Sequence, residues 1–382
     1  MENPKLALIP SGYKSGTVYS ILPTDGVGDF DFSRGSTATR VNKDGLIETV
    51  NNNVPRLDWS NSDCPSLLLE PQRTNLVTQS ENLSATWLKS GGVTLTSGQI
   101  SQAGDASAYR VEMTSGASNY LYIGGGIDGV EYTISGYFKA DSETNIGFGD
   151  GNLAPNSIDL TTEWKRFSFT FTRNGGGLQI DNYFGVSPSQ QAKTFYAWGI
   201  QMEAGSYATS YIKTTGFTET RLKDFIDGAG SSSLFNSLES TFFVEMASFL
   251  NAQTNSNGIE LSDISGQNRI TLQYDPTNNQ IRCDVRVLNS AQAIITTSGF
   301  DITNFNKMAI TYKLNEVKFY VNGQLISTAP SVNLFAPNTL TEVRSTIAGI
   351  SGGAFNLQAK IKDLRVYDRV LTEAEAVKLT TI

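Results

Sequence analysis

Hydrophobic and polar residues alternate along most of this chain in short runs. In the run WKRFSFTFTR (164–173), Phe167, Phe169 and Phe171 lie on one face, and Ser or Thr residues lie on the other. The run EYTISGYFKA (131–140) alternates in the same way. A period of two places successive side chains on opposite faces of a β-strand, so each run predicts a half-buried strand. Gly, Asn, Asp and Ser residues separate the runs, as expected for turns between antiparallel strands.

The order of these runs predicts an all-β chain that contains two consecutive antiparallel β-sandwiches of the jelly-roll type. An extended arm and a hairpin region come first, because Pro and Gly residues interrupt any helical period near the start. The small polar piece GAGSSS favours a hinge. The predicted parts are an N-terminal region (1–73), a first sandwich (74–227), a Gly/Ser linker (228–234) and a second sandwich (235–382).

Local signals add turns and a helix to this outline. Residues 43–45, Lys-Asp-Gly, lie between two β-prone pieces and predict a hairpin turn. Asn322-Gly323 lies between two alternating runs and predicts a type I′ hairpin. Thr372 is followed by Glu375 three positions later, which is the pattern of a capping box, so a short helix is predicted to begin there.

Composition narrows the classes of partner. Of the 382 residues 17% are charged, the net charge is −8, and there is no block rich in Lys or Arg. Recognition of a phosphate backbone depends on such a block, so nucleic acid is not an expected partner. Neither a membrane-spanning apolar run nor a signal-peptide pattern is evident, so membrane insertion and secretion by a signal peptide are not expected. Cys64 and Cys283 are expected to be unpaired thiols.

The chain contains no histidine. Its absence excludes the Ser-His-Asp triad, the Cys-His pair and an imidazole general base. Hydrolysis by a pair of carboxylates stays open, because that reaction needs only Asp or Glu side chains. We therefore expect a protein that is not an enzyme, with carboxylate-pair hydrolysis as an alternative.

Four long motifs resemble those of bacteriophage virion proteins, mostly tail fibres and related appendages. They are DFDFSRGSTATRVNKDGLIE (29–48), VPRLDW (54–59), SLLLEPQRTNLVTQSENLSATW (66–87) and QMEAGSYATSYIKTTGFTETR (201–221). The resemblance is closest to phages of Bacteroidetes, including the crAss-like group. It implies a tail- or head-fibre protein on the exterior of the virion, synthesised in the host cytoplasm and attached to other virion proteins through its N-terminal region. It also implies a homo-oligomer, with a trimer favoured over a dimer.

Two further segments resemble carbohydrate-binding proteins. TFYAWGIQMEA (194–204) is similar to the closing strand of jelly-roll carbohydrate-binding modules, and AKIKDLRVYDRVLTEAEAVKL (359–379) is similar to the end of laminin-G-like and concanavalin A-like lectin or glucanase domains. The resemblance implies binding of host-surface polysaccharide and allows a structural calcium ion. The acids of such glucanases commonly follow the pattern ExDxxE. Glu245, Glu260 and Asp263 do not follow it, which argues against hydrolysis.

Aromatic faces that stack on sugar rings are the expected glycan contacts. Tyr120, Tyr122 and Tyr183 lie beside turns and are the predicted glycan-binding residues. Three tryptophans of the first sandwich, by contrast, are expected in the core or at its rim, and they are Trp87, Trp164 and Trp198.

Carboxylates in oxygen-rich loops are candidate calcium ligands, although none follows the EF-hand spacing. Solvated turn carboxylates are the favoured interpretation, because Asp is common in turns. The candidates are Asp105, Asp128, Glu131, Asp150 and Asp181 in the first sandwich, and Glu260, Asp263 and Asp284 in the second.

Polar residues within the motifs are expected to have structural roles. Arg73 is predicted to pair with a buried carboxylate such as Glu70 or Glu203, and Asn75 is predicted to close a turn. Two alternatives to glycan binding stay open. One is a purely structural head-fibre, decoration or tail-assembly subunit, and the other is a capsule-degrading glycoside hydrolase.

Overall fold

The computed structural model describes residues 3–60, 63–115, 119–151, 156–182, 191–251, 257–275, 277, 279–348 and 354–382. The predicted all-β class is confirmed, because the described residues form antiparallel sheets and a short helix near the C-terminus. The chain divides into two compact units. The first unit comprises Met1–Gly35, Val50–Pro71 and Lys223–Ile382, and the second comprises Ser36–Thr49 and Gln72–Leu222.

The strands are numbered along the chain. The strands before residue 90 are β1 (Leu6–Leu8), β2 (Tyr13–Lys14), β3 (Thr17–Val18), β4 (Phe30–Ser33), β5 (Ala38–Val41), β6 (Ile47–Val50), β7 (Leu57–Asp58), β8 (Ser66–Leu69), β9 (Arg73–Asn75) and β10 (Leu88–Lys89). They are followed by β11 (Val93–Gln99), β12 (Ala108–Met113), β13 (Tyr120–Ile123), β14 (Glu131–Lys139), β15 (Thr144–Asp150), β16 (Asn156–Leu160), β17 (Lys165–Thr172), β18 (Leu178–Asp181), β19 (Lys193–Ala204), β20 (Glu219–Arg221) and β21 (Phe225–Asp227). The remaining elements are β22 (Glu239–Ser248), β23 (Asn257–Ser262), β24 (Arg269–Tyr274), β25 (Gln280–Val287), β26 (Ser290–Ser298), β27 (Asn306–Lys313), β28 (Glu316–Val321), β29 (Gln324–Pro330), β30 (Glu342–Arg344), β31 (Thr346–Ala348), β32 (Ala354–Asn356), β33 (Ala359–Tyr367) and the helix α1 (Glu373–Thr380).

The first unit contains a sandwich of two antiparallel sheets. One sheet has the order β29-β28-β27-β22-β33-β8-β7, and β1 also pairs with β33. The other has the order β26-β25-β24-β23-β30. Ile270, Leu272 and Tyr274 of β24 belong to the buried core, while the residues between them point outwards. This alternation gives the second sheet an apolar inner face and a polar outer face.

Strands from the N-terminal region complete a sheet of the C-terminal sandwich. β33 pairs with β22 along one edge, and along its other edge it pairs with β8 at residues 359–361 and with β1 at residues 364–366. Leu6 and Leu8 of β1 and Leu67 and Leu69 of β8 are buried in the same core as β33. An open edge would leave backbone groups of β33 unpaired, so the N-terminal strands satisfy these groups within the chain.

The compact units differ from the predicted domains. Residues 1–35 and 50–71 belong to the same unit as the C-terminal sandwich. This unit begins its last segment at residue 223, so residue 228 is not a unit boundary. The predicted linker 228–234 packs within this unit. Ala229 is fully buried and forms a β-bridge with Val343. The hinge at this segment stays a prediction from composition, and the structure adds that its backbone is hydrogen-bonded to a neighbouring strand.

Two predicted hairpin turns are confirmed. β5 and β6 form a two-stranded sheet, and Asn42 Oδ1 accepts hydrogen bonds from the backbone N–H groups of Asp44 and Leu46 in the turn between them. Asn322 and Gly323 join β28 to β29 with φ angles of 47° and 80°. Positive φ at both central residues is the geometry of a type I′ turn, which Asn-Gly accommodates readily.

The predicted capping box is also confirmed. Thr372 is the N-cap of α1, and its hydroxyl accepts a hydrogen bond from the backbone N–H of Glu375. Glu375 Oε2 accepts one from the backbone N–H of Thr372. The Glu375 carboxylate also binds Arg369. The Arg369 and Thr372 contacts lower the pKa of Glu375 to about 2. The helix therefore begins where the sequence predicts.

A buried cluster of four charged side chains lies in the first unit: Arg34, Arg56, Glu70 and Asp224. Asp224 Oδ1 accepts a hydrogen bond of 3.0 Å from Arg34 Nη1, and Asp224 Oδ2 pairs with Arg56. Arg56 Nη1 also donates to Glu70 Oε2 at 2.6 Å. All four side chains are at most 3% exposed. Burial alone would lower the pKa of Arg56, but the charges of Asp224 and Glu70 raise it above its usual value.

The second unit is a jelly-roll sandwich with the predicted strands. Its described sheets have the orders β10-β13-β18-β15-β16 and β11-β12-β19-β14-β17, with an apolar core between them. Phe167, Phe169 and Phe171 pack against this core on one face of β17, as their alternation predicts. Trp87 and Trp198 are buried, which confirms the prediction for both. The third tryptophan, Trp164, is half-buried at the edge of a smaller cluster.

The motif residues of the second unit interlock through polar contacts. Asn75 Oδ1 accepts hydrogen bonds from the backbone N–H groups of Val77 and Met202, so Asn75 closes a turn as predicted. Glu203 Oε2 accepts one from the backbone N–H of Thr209 at 3.0 Å. Arg221 Nη1 donates to Thr209 Oγ1 at 3.1 Å. The two long motifs of this unit are therefore held together by buried polar groups.

The prediction that Arg73 pairs with Glu70 or Glu203 is wrong. Glu70 pairs with Arg56, and Glu203 binds Thr209. The Arg73 guanidinium instead lies over the ring of Tyr207, 5.2 Å from its centroid. It also packs against Gly205, whose φ is +131°, and a Cβ there would lie 2.8 Å from Arg73 Nη2. The positive φ favours glycine at this position, because side chains strain such a backbone.

We predict that Asp224→Asn destabilises the first unit by about 3–5 kcal/mol, because it leaves two buried guanidinium groups with too little negative charge. Urea unfolding at pH 7, followed for the transition of the first unit, measures this loss.

Asp368→Asn is the matched control. The ion pair between Asp368 and Lys5 has side chains 41% and 46% exposed, and exposed pairs contribute roughly 0–1 kcal/mol. Equal losses for the two variants would contradict a structural role of the buried cluster.

Candidate functional site

The second sheet of the first unit carries a dense polar surface on its outer side. Each of its central strands alternates apolar residues, which face the core, with polar residues, which face outwards. We call these outward side chains the outer polar face, and they are Glu260, Ser262, Arg269, Thr271, Gln273, Arg282, Asp284, Arg286, Glu342 and Arg344.

The strand register sets which side chains of this face are neighbours. Thr271 lies opposite Glu260 on one side and opposite Asp284 on the other, and Arg344 lies opposite Glu260. Ser262 lies opposite Arg269 in the next row. Directly opposed residues on adjacent strands have Cβ atoms roughly 4.5–5.5 Å apart, so these groups form a continuous polar layer.

Ion pairs fix the arginines of the outer polar face. Arg344 Nε donates to Glu260 Oε1 at 2.6 Å. Asp284 Oδ2 accepts hydrogen bonds from Arg282 Nη2 at 2.9 Å and from Arg286 Nε at 3.0 Å. Because several planar guanidinium groups share few carboxylates, their orientations are restricted.

Four buried polar atoms of this face have no hydrogen-bond partner among the described residues. They are Ser262 Oγ, Thr271 Oγ1, Asp284 Oδ1 and Arg282 Nε. Folded proteins leave few buried polar atoms unpaired, and each one costs about 1–3 kcal/mol. Several such atoms lie on three adjacent strands. Each one lowers the free energy of unfolding, and no contact among the described residues compensates for it.

Arg269 is a nearly buried cation that forms no ion pair with the residues of the described ranges. Both of its hydrogen bonds come from Nη1, one to the backbone oxygen of Gly266 and one to Asn289 Oδ1. Burial lowers the pKa of Arg269. These bonds join the loop after β23 to the turn after β25, which gives Arg269 a structural role.

Solvent reaches the outer polar face at its edges. The Arg282 side chain is 20% exposed and the Glu342 side chain is 18% exposed, whereas Ser262 and Thr271 are almost fully buried. Among the four residues that have unpaired atoms, Arg282 is therefore the most accessible to solvent.

The predicted glycan-binding tyrosines of the second unit lie on β13. Tyr120 and Tyr122 both point outwards from the sandwich; Tyr120 is 37% exposed and Tyr122 is half-buried. A Cβ at Gly177 would lie 2.9 Å from the Tyr122 hydroxyl oxygen, so the glycine turn makes room for this ring. Tyr183 lies outside the described residues. The structure therefore brings two of the three residues to one face.

A buried carboxyl group lies beside these tyrosines. β18 places Asp181 opposite Tyr120 and Gln179 opposite Tyr122. Gln179 Nε2 donates to Asp181 Oδ2, while Asp181 Oδ1 is buried without a partner in the described parts of the chain. Burial raises the pKa of Asp181 to about 6. The sequence analysis considered Asp181 only as a calcium candidate.

The carboxylates considered for hydrolysis do not face one another. Glu245 and Glu260 lie on the outer sides of opposite sheets, with the apolar core between them. Asp263 binds within its own turn, where its Oδ1 accepts a hydrogen bond from the backbone N–H of Gln267. Hydrolysis requires two carboxylates across one cleft, and these three do not provide that arrangement.

The predicted calcium ligands are dispersed. The described ranges contain no group of three or more acidic or cysteine side chains that could hold a metal ion. Asp105 binds Ser101 and Ser107, and Asp128 pairs with Arg173. Calcium binding stays a prediction. In the same described ranges, no helix is long and apolar enough to cross a membrane.

The sequence analysis missed the hydroxyl and guanidinium groups of the outer polar face. The signal was present in RITLQY and QIRCDVRV, where polar or charged residues occupy every second position of two central strands. The sequence analysis considered Asp284 only as a calcium candidate and did not single out Thr271 or Arg282, because alternation alone does not show that the outward residues are buried.

Comparison with known families finds one match. Residues 240–377 match a family model described as the concanavalin A-like lectin/glucanases superfamily. All residues of the outer polar face lie within this matched segment. No curated protein sequence matches the chain significantly.

Several solved structures resemble part of the chain. The carbohydrate-binding module (CBM40) of the Ruminococcus gnavus IT-sialidase, bound to α2,3-sialyllactose, has a TM-score of 0.33 and 13% identity, over 40% of this chain and 93% of that chain. A heptameric SAP-like pentraxin from Limulus polyphemus has a TM-score of 0.32 and 15% identity, over 38% and 71%. A mutant Trypanosoma rangeli sialidase with trans-sialidase activity has a TM-score of 0.30 and 14% identity, over 37% and 22%. The family match thus describes the C-terminal sandwich as lectin-like, a fold that suggests glycan binding.

We predict that the stability of the second unit falls as pH rises from about 4 to 6, in part because of Asp181. Its pKa is about 6 in the fold against an ordinary value of 3.8, so the fold favours the protonated carboxyl group. Asp181→Asn removes the charge, so it weakens this pH dependence and makes the variant more stable than the parent chain at pH 7.5. Urea unfolding at pH 4 and 7.5 measures both effects.

Asp159→Asn, an exposed change on β16 of the same sheet, is the control and leaves the pH dependence unchanged. Identical pH profiles for Asp181→Asn and the parent chain would rule out the effect of burial.

Proposed function

We propose that this chain is a glycan-binding protein of a bacteriophage virion, displayed on a tail fibre, head fibre or related appendage. The lectin-like match of residues 240–377 supports the binding activity. The four long motifs support the assignment to a virion, because they resemble those of phage appendage proteins. In this proposal the ligand is host-surface polysaccharide, and the N-terminal region attaches the protein to other virion proteins.

The observation that carries the binding proposal is the set of unpaired atoms on the outer polar face. Arg282 Nε is a donor, Asp284 Oδ1 is an acceptor, and the hydroxyl groups of Ser262 and Thr271 can act as either. A sugar hydroxyl also donates and accepts at the same time. Because the four atoms are buried, a glycan would reach them only after the partly exposed Arg282 side chain moves aside. It could then satisfy both kinds of atom, whereas an ion of one charge could satisfy only one kind.

We expect each site to bind its ligand weakly and several copies of the chain to raise the avidity. Few exposed atoms of the outer polar face are available to a first contact, chiefly those of Arg282. A homo-oligomer, with a trimer favoured, would raise avidity by roughly 10²–10⁴ without new contacts.

A structural subunit without sugar binding is the second candidate. Motif residues that carry the resemblance pair with one another in the buried cluster, as Arg56 does with Glu70. These residues support the fold of a virion protein whether or not the sandwiches bind a ligand. Mass spectrometry of purified virions of a phage that encodes this chain tests the virion assignment for both candidates.

Binding is tested with an array of bacterial surface polysaccharides, probed with the full chain in its natural oligomeric state. We expect Thr271→Val to weaken binding to the best ligand at least ten-fold. Its free energy of unfolding should stay equal or rise slightly, because valine has the shape of threonine and removes a buried unpaired oxygen. Measuring both the affinity and the free energy of unfolding separates the loss of a binding group from the loss of the folded structure.

Thr328→Val is the control, because Thr328 is exposed on β29 of the opposite sheet. The binding proposal is overturned if the oligomer binds no polysaccharide, or if Thr271→Val and Thr328→Val bind equally well. Release of oligosaccharides from a polysaccharide would instead identify a hydrolase.

A further inference from the structure

The second unit carries a group of two aromatic rings and one lysine that no family match covers. Lys139 is the last residue of β14, Tyr196 lies on β19, and Trp164 directly precedes β17. We call these three residues the aromatic platform. All three are half-buried, so each has a surface in contact with solvent.

The lysine lies against both rings. Lys139 Nζ is 5.4 Å from the centroid of Trp164 and 5.4 Å from the centroid of Tyr196. Lys139 and Tyr196 are directly opposite each other in the sheet. Both distances are within the range of a cation–π interaction. Lys139 forms no ion pair with any residue of the described ranges, so its positive charge is not neutralised there.

Nearby charges are already engaged in contacts of their own. The Tyr196 hydroxyl donates a hydrogen bond to Asp141 Oδ1 at 3.0 Å. Arg110 lies opposite Tyr196 on the other side and pairs with Glu112. Burial and the Asp141 contact raise the pKa of Tyr196, so its hydroxyl stays protonated and its ring neutral.

Trp164 is held from one side by a buried cluster. Tyr137, Trp198 and Tyr211 are buried in this cluster, and Trp164 packs against it as a partly buried member. Trp198 and Tyr211 have ring centroids 4.7 Å apart, which gives the cluster a tightly packed aromatic centre. The indole therefore rests on packed side chains while its remaining surface is available to a ligand.

We propose that the aromatic platform is a second glycan site and that it binds a saccharide bearing a carboxylate. An indole surface stacks on the C–H groups of a sugar ring, and the unneutralised ammonium group of Lys139 attracts a carboxylate on the same ring. A neutral sugar would use only the stacking surface. This inference names a ligand class for a site in the other unit, and it rests on the proposed glycan-binding function.

The net charge of the whole chain also affects the binding of an anionic ligand, so the experiment must isolate the contribution of Lys139. The net charge is −8, so a polyanion is repelled at long range. At 0.15 M salt the screening length is about 8 Å, and distant charges then contribute little. A short ligand at this salt concentration therefore reports the contact with Lys139.

The probe is trigalacturonate, and its fully methyl-esterified form is the matched neutral ligand, because it keeps the same sugar rings and removes the carboxylate charges. Calorimetry with the full chain at 0.15 M salt measures both affinities. We expect the parent chain to bind the acid at least ten-fold more tightly than the ester. Lys139→Met keeps the aliphatic stem and removes the charge, so it should abolish this preference, and Lys139→Arg should keep it.

Lys89→Met is the control for net charge, because Lys89 is exposed on β10 of the other sheet and its loss should leave both affinities unchanged. Thermal unfolding checks that Lys139→Met is folded. If that variant does not fold, Lys139→Gln replaces it.

Equal affinities for acid and ester in the parent chain would overturn the inference, and so would an unchanged preference in Lys139→Met. Thr271→Val separates this outcome from failure of the proposed function. This change lies in the first unit, so it should leave trigalacturonate binding intact even if it abolishes polysaccharide binding there.

Discussion

The first unit depends on the buried pairing of two arginines with two carboxylates. Asp224 binds both Arg34 and Arg56, and Arg56 also binds Glu70. A buried charge without its partner is very unfavourable, so each of these four residues must lie close to its oppositely charged partner in the folded unit. The four residues come from distant parts of the sequence. Their pairing therefore holds the N-terminal segments against the chain that enters the C-terminal sandwich.

This constraint has a consequence for the sheets. With the N-terminal segments held in place, β1 and β8 occupy the edge of β33 and bury their leucines in the common core. The inner faces of both sheets then supply the apolar burial that stabilises the unit. The outward-facing residues of the second sheet contribute nothing to this apolar core. The strands of this sheet can carry unpaired polar atoms such as Thr271 Oγ1, whose cost the core offsets.

Local features were largely predictable from the sequence, because they depend on neighbouring residues. The alternation of β17, the turn at Asn322-Gly323 and the capping box of Thr372 all follow from short-range geometry. The assembly of the first unit was not predictable, because strand addition and the choice of Arg56 as partner for Glu70 depend on residues far apart in sequence. The candidate site was missed for a related reason. Alternation shows that Thr271 faces outwards, but only the packed structure shows that its hydroxyl is buried and unpaired.

The four long motifs lie apart from the residues of the proposed sites, which bears on how ligand choice can vary. Arg34, Arg56 and Glu70 lie inside the motifs, and they are engaged in holding the fold. Thr271 and Lys139 lie outside all four motifs. A change at the motif residues would disturb buried charges, whereas a change at Lys139 or Thr271 leaves the buried ion pairs of the first unit intact. Under the proposed glycan-binding function, proteins that share these motifs can keep one architecture and differ in the glycan that they bind, because the residues that fix the fold are not those of the proposed sites.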